Sequence, residues 1–373
     1  MARIAFIDVT ATVTYGGIQT AIWQLAQAIH DLGHEVTIFG GEGDIRPDLG
    51  GRAITVHTFP FTPRERLPNF GSRFRKIAER FSFARHAKAA VVAGNFDWVI
   101  LTKPLDFFWP WLMPRTGSHR FALMSGGTEF FAGDRILAKK INAWLACSHF
   151  NAWQIQSRYK KFPHVIYNGV NITQFECRPT DIELRAALGA TSEDILFAYA
   201  GRLVGWKGMG VALRALAHPV MQGTPAKLMI IGAGPQLAEL KQLASKLGIT
   251  DRVLFHAAMP HSELPNMYAA MDVGIFPSIG DEAFGITIAE AMSCAKPVIA
   301  SYIGGIPEVV GNEESCGLLT PPGDILALAN AMKILACDAD LRQRLGLGAR
   351  ARITRLYTWE LSAKRLLVGL GLK

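Results

Sequence analysis

Cysteine is scarce in this chain of 373 residues: Cys147, Cys177, Cys294, Cys316 and Cys337 are widely spaced and never in Cys-x-x-Cys form. That spacing excludes a disulfide framework and a zinc cluster, and it fits a reducing compartment such as the cytoplasm. Charged residues are also few, at 19%, while half the chain is apolar, which excludes extended disorder. No apolar run approaches the length of a bilayer span, and the longest aromatic one, residues 107–113, is broken by Pro110. Met1-Ala2-Arg3 runs straight into Ile4-Ala5-Phe6-Ile7 with no longer apolar region, so a first strand is expected there rather than a secretory leader. Acidic residues are short in one half only. Residues 1–175 hold 20 Lys and Arg against 12 Asp and Glu, whereas residues 176–373 hold 19 of each, so the whole net charge of +8 lies in the first half. The length suggests about two domains.

The densest chemistry lies at Asp281-Glu282-Ala283-Phe284-Gly285-Ile286-Thr287-Ile288-Ala289-Glu290, after the apolar run Val273-Gly274-Ile275-Phe276. The pattern predicts strand, loop and helix, the helix resuming at Ile286. A loop opening on a helix N-terminus offers backbone amides to an anion, here those of Ala283, Phe284 and Gly285. Two carboxylates beside a phosphate cradle repel phosphate and suit hydroxyls, so Glu282 reads as a ligand of a sugar and Glu290 as a ligand of a ribose diol. The plainer alternative is a buried strand and a helix start whose acids only favour the dipole. The Glu-x7-Glu spacing around Phe-Gly resembles the hallmark of family-four retaining glycosyltransferases of the GT-B fold, the group of glycogen synthases, sucrose synthases and many bacterial mannosyl- and glucosyltransferases.

That resemblance implies two Rossmann-like parallel-sheet domains with the active site between them. The first, 1–175, would bind the acceptor and the second, 176–355, the nucleotide sugar, with a helix over 356–373 packing back on the first. In order, β-rich runs at 4–9 and 35–39 flank an apolar period of helical spacing that Gly33 closes, a β-α-β start. Gly16-Gly17 precedes that helix and reads as a turn; the resemblance places it against the donor diphosphate. Strands are expected at 53–59, 98–102, 120–124, 144–147 and 164–166, and helices at 70–92 and 151–160. Residues 64–88 are basic and rich in phenylalanine. They fit two roles: a helix on an anionic bilayer surface, with Arg73, Arg75, Lys76 and Arg80 at the headgroups, or a helix packing its aromatics on the sheet with Arg in water. Ser125-Gly126-Gly127-Thr128-Glu129 follows a strand where relatives usually carry a histidine. Ser125 and Gly126 are therefore acceptor-side candidates, with serine standing in the histidine's place. Asn168-Gly169-Val170-Asn171 resembles the motif that ends the first domain.

In the second half, Arg202 and Lys207 lie on a glycine-punctuated loop after the strand 195–199, where two cations can neutralise a diphosphate. Their Gly-Arg-x5-Lys-Gly spacing matches the leaving-group loop of the resembled family. Gly232-Ala233-Gly234 is a weak dinucleotide fingerprint because Leu237 stands in place of the third glycine. The resemblance puts Gly234 beside the nucleotide and Met259, in the loop 257–260, at the base. Asp338-Ala339-Asp340 reads as helical surface, and neither a metal site nor a bound cofactor is expected.

The implied activity is metal-independent, retaining hexosyl transfer from a UDP- or GDP-sugar to a lipid-linked or anionic glycan acceptor. Arg202 and Lys207 would hold the departing diphosphate, helped by the amides of Ala283, Phe284, Gly285 and Ile286, and Glu282 the sugar. Two rivals stay open: a nucleotide-sugar 2-epimerase of the same fold, and an inactive module that binds sugar nucleotide or membrane. The expected partners are a nucleotide sugar, a glycan or glycolipid and an anionic membrane surface, with no nucleic acid. The expected location is cytoplasmic, peripheral on the inner face of the membrane.

Overall fold

The computed structural model describes residues 1–114, 119–127, 129–312 and 315–372. Thr128, within the glycine-rich turn named above, lies outside them. Ile4-Ala5-Phe6-Ile7 is buried at every position, as a strand covered on both faces requires. It forms β1 (Arg3–Ile7), which passes through the helix Gly17–Asp31 to a parallel β2 (Glu35–Gly41). The sheet continues with β3 (Thr55–Phe59), β4 (Trp98–Leu101), β5 (Arg120–Ser125), β6 (Ala143–Ala146) and β7 (His164–Val165). Among the described residues its order is β3-β2-β1-β4-β5-β6-β7, all parallel.

Alternation along β1 separates two cores. Ile4 and Phe6 pack with Ile22, Leu25 and Ile29 of the helix Gly17–Asp31, while Ala5 and Ile7 pack with Phe83, Ala87 and Val91 of the helix Ser72–Ala93. The C-terminal helix Trp359–Gly369 joins the first core through Trp359, Ala363, Leu366 and Leu367.

A second sheet holds β8 (Ile195–Ala200), β9 (Ala226–Ile231), β10 (Val253–His256), β11 (Val273–Phe276), β12 (Val298–Ser301) and β13 (Gly317–Thr320). Among the described residues its order is β10-β9-β8-β11-β12-β13, again all parallel. Asp338 caps the helix Ala339–Leu356, its carboxylate accepting from the Leu341 amide (2.8 Å). The chain divides into two compact units, residues 1–169 with the segment from Trp359 onward, and Val170–Thr358. Phe175 belongs to the second unit because its carbonyl accepts from Ser293 Oγ (2.7 Å) and from Arg350 Nη1 (2.8 Å). In both sheets the strand order reverses, at β1/β4 and at β8/β11. Open parallel sheets bind ligands outside the carboxyl ends of their strands at such a point.

One expectation is corrected here. Arg80 does not reach outward to a membrane: it is 3% exposed, with Nε 3.4 Å from the Asp106 carboxylate and Nη2 3.8 Å from Asp8. The physical reason is helical period, since Arg80 stands one turn before Ala84 and two before Ala87 on the inward stripe of the helix Ser72–Ala93. Among the described residues no helix is long and apolar enough to cross a membrane.

Candidate active site

In the second unit the chain leaves β8 at Ala200 and turns through Arg202, which is exposed, to Lys207. Gly208 ends this turn at φ 72°, and a Cβ there would lie 1.8 Å from the Pro277 carbonyl oxygen. Only glycine permits so close a crossing of the β8 and β11 loops. The Trp206 carbonyl ties the loops further, accepting from the amides of Ile279 (2.8 Å) and Gly280 (3.2 Å). The crossing brings Lys207 to Glu282: Nζ donates to the carboxylate, and it also lies 4.4 Å over the Trp206 ring. The carbonyl of Glu282 accepts from the Gly305 amide (2.7 Å), so this acid is held at both backbone and side chain.

Gly285 precedes the helix Ile286–Ser293 with φ 97°, a left-handed start that glycine adopts without strain. Phe284 turns its buried ring onto Tyr357, 5.6 Å away, so what this position can offer a ligand is backbone. Little more than a turn into this helix, Glu290 is 2% exposed; its Oε1 accepts from His261 Nε2 (2.6 Å), and its Oε2 has no hydrogen-bond partner among the described residues. Met259 is half-buried in the loop that leads to His261. Gly234 lies against the β8 loop, where the Leu203 amide donates to Ala233 O (2.9 Å) and Gln236 donates to Leu203 O (3.2 Å).

In the first unit Gly16 and Gly17 open the helix Gly17–Asp31, and Gln19 of its first turn donates to Thr10 Oγ1 (2.6 Å). Thr10 and Thr102 in turn donate to the two oxygens of Asp8 (2.6 and 2.5 Å), at the carboxyl ends of β1 and β4. Burial pushes the Asp8 carboxyl up, but the Arg80 and Lys103 cations and these hydroxyls outweigh it, and the group is held below its usual range. Asp106, buried beside Asp8, goes the other way, to about 7, because burial and Asp8 exceed the pull of Arg80. Asp8 is therefore the counter-charge of Arg80. Glu129 accepts from Lys76 Nζ (2.5 Å) and lies 3.9 Å from Lys103. Burial raises Glu129, yet these cations together hold it low. Ser125 is buried at the end of β5, its hydroxyl donating to Gly127 O (2.9 Å), and a Cβ on Gly126 would meet the Ile18 side chain at 2.9 Å.

The network of Asp8, Arg80, Lys103, Asp106 and Glu129 and the partner of Glu290 went unread in the sequence. The available signals were Asp8-x-Thr10 at a strand end, an arginine on an inward stripe, and a histidine directly after the loop 257–260. Among the described residues no group of three or more His, Cys, Asp and Glu side chains is placed to hold a metal ion.

Two family models tile the chain: Glycosyltransferase Family 4 matches residues 15–174, and Glycosyl transferases group 1 matches residues 180–352. A D-inositol 3-phosphate glycosyltransferase of Xylanimonas cellulosilytica is 34% identical over 213 residues, 55% of this chain and 50% of that protein. The chain thus spans about half the length of this relative. The enzyme of the same name from Corynebacterium diphtheriae is 27% identical over 94% of this chain and 88% of its own length. The solved structure of Anabaena HepE in complex with UDP and glucose superposes with a TM-score of 0.79 over 100% of both chains at 22% identity, which shows the shared GT-B fold.

Proposed function

This chain belongs to the family-four glycosyltransferases of the GT-B fold, and we propose that it transfers a hexose, with retention, from a UDP- or GDP-sugar to a lipid-linked or anionic glycan. The observation that carries the reading is the Lys207–Glu282 pair at the carboxyl ends of β8 and β11, where the sheet reverses its strand order. A lysine already drawn to that point is poised for an anion. When a diphosphate enters, Lys207 turns from Glu282 to the phosphate and Glu282 is released to accept bonds from sugar hydroxyls. Negative charge grows on the diphosphate as the glycosidic bond lengthens, so Arg202, Lys207 and the amides at the helix start act most strongly in the transition state. Glu290, deeper in the same helix, takes the ribose. Neither acid serves as a nucleophile, and no metal is required because cations of the chain neutralise the leaving group.

The test is transfer from radiolabelled UDP- or GDP-glucose and mannose, with excess chelator in parallel. Lys207→Ala and Arg202→Ala are each expected to lose about 2–4 kcal/mol of transition-state stabilisation with the fold kept. Undiminished turnover in both variants, or activity abolished by chelator and restored by manganese, overturns the assignment. One observation favours a second reading: Ser125 is buried with its hydroxyl committed to Gly127, so this position offers the reacting sugar no titratable group. A module that binds nucleotide sugar without transferring it fits that feature. It would bind donor and yield neither transfer product nor epimer.

A further inference from the structure

We propose that His261 is a positioning residue for the nucleoside end of the donor: it occupies Oε1 of Glu290 and thereby leaves Oε2 as the acceptor presented to a ribose hydroxyl. The inference rests on the donor role proposed for Glu290 and extends it. His261 Nε2 is 2.6 Å from Glu290 Oε1, while Oε2 is buried without a hydrogen-bond partner among the described residues. A buried carboxylate oxygen without a donor is costly, and a ligand hydroxyl would remove that cost. The imidazole is fixed on a second side by the Phe175 ring, 5.2 Å away. Phe175 is itself anchored through its carbonyl to Ser293, on the same helix as Glu290. His261 also follows directly on the loop 257–260, which contains Met259, so one short segment joins the base-side residue to the ribose acid.

About a third of the His261 side chain is exposed, so it equilibrates with bulk pH. Burial disfavours its cation, but the bond to Glu290 and the charge of Glu290 outweigh that, and the group is held above its usual value. Among the described residues, the other titratable groups facing Glu290 are Tyr268, from the helix Leu264–Ala270, and Cys294, just past the helix Ile286–Ser293. Burial raises Tyr268 well above the usual phenol range and Cys294 to about 12, so both stay uncharged near neutrality. With His261 charged, the pair carries no net charge. Once it loses its proton, Glu290 is an uncompensated buried anion and repels an anionic donor. Affinity for a nucleoside diphosphate therefore falls as pH rises through the histidine's raised value.

The experiment uses whichever of UDP, GDP and ADP raises the melting temperature most, beside its 2′,3′-dideoxy analogue, titrated calorimetrically from about pH 6 to about pH 9. Wild type is expected to bind the dideoxy analogue about tenfold more weakly than the parent and to lose parent affinity severalfold across the range. His261→Gln keeps a donor that does not titrate, so its profile is flat with ribose discrimination kept. His261→Ala is flat and loses most of the discrimination; if it fails to fold, the Gln variant carries the test through its pH profile. Variants that share the wild-type profile and discrimination overturn the role of His261 while leaving Glu290 on the ribose. A wild type that ignores the missing hydroxyls overturns both, and a chain that binds none of the three diphosphates overturns the donor reading and this inference with it.

Discussion

Single residues decide the electrostatics of the first unit, and Arg80 is the clearest case. Read as one cation of a basic run, it belonged on the surface; its period relative to Ala84 and Ala87 places it inward, facing Asp8 and Asp106. Composition could not reveal this, because the partners come from the segments just after β1 and after β4, far apart in sequence. Removing one member of a buried charge cluster leaves the others uncompensated. Arg80→Met is therefore expected to cost about 3–5 kcal/mol, measured by urea denaturation. The two acids respond oppositely to pH. Asp106 sits at about 7 in the folded chain against an ordinary 3.8, so the stability it contributes is complete below the lower value and lost as pH rises through the upper one. Asp8 is lowered, so its contribution is present at neutral pH and disappears as pH falls through its folded value. Asp106→Asn should flatten the decline in melting temperature between about pH 4 and about pH 7, and an unchanged slope would show that Asp106 is not the group responsible.

At the scale of elements the chain was largely legible, because strands buried on both faces write themselves as runs such as Ile195-Leu196-Phe197-Ala198-Tyr199 and Val298-Ile299-Ala300. The family resemblance put Lys207 and Glu282 in one site, and their side chains are in contact. What spacing cannot show is the crossing at Gly208 that makes this contact, since it depends on where Pro277 lies. The helix Ser72–Ala93 divides along its length. On its inward stripe Arg80 is committed to the charge cluster and Phe83, Ala87 and Val91 to the apolar core, whereas Arg73 remains exposed, and Phe70 (76% exposed), just before the helix, packs edge-to-face on Phe74. If this end meets an anionic bilayer, each basic residue contributes about 1 kcal/mol and salt weakens the binding. Changing Arg73 and Arg75 to Gln together with Phe70 and Phe74 to Ser should abolish sedimentation with anionic vesicles and leave nucleotide binding intact. A wild-type chain that ignores such vesicles at low salt would make this end a merely solvated surface and favour a soluble acceptor.

At the scale of the whole molecule, the chain starts in the first unit, builds the second, and returns. The returning helix Trp359–Gly369 places Trp359, Ala363, Leu366 and Leu367 in the core beside the helix Gly17–Asp31. At about 1.5–3 kcal/mol for each large apolar side chain buried, losing Leu366, Leu367 and Trp359 approaches the whole stability of an ordinary domain. A variant ending at Thr358 should therefore show one cooperative melting transition, from the second unit, and lose the other; two intact transitions would refute the count. The second unit needs no such help. Its ends meet where the Val170 amide donates to Tyr357 O (2.8 Å) and Val170 pairs with Thr358. Synthesis on the ribosome then runs against the usual order in which the amino-terminal domain finishes first. Residues 1–169 emerge early but must wait, with the part of their core that Trp359, Ala363, Leu366 and Leu367 fill left open, while residues 170–358 emerge and close on themselves. Of the two units, the one that emerges first is the one completed last, and throughout that interval its apolar core stays open to water.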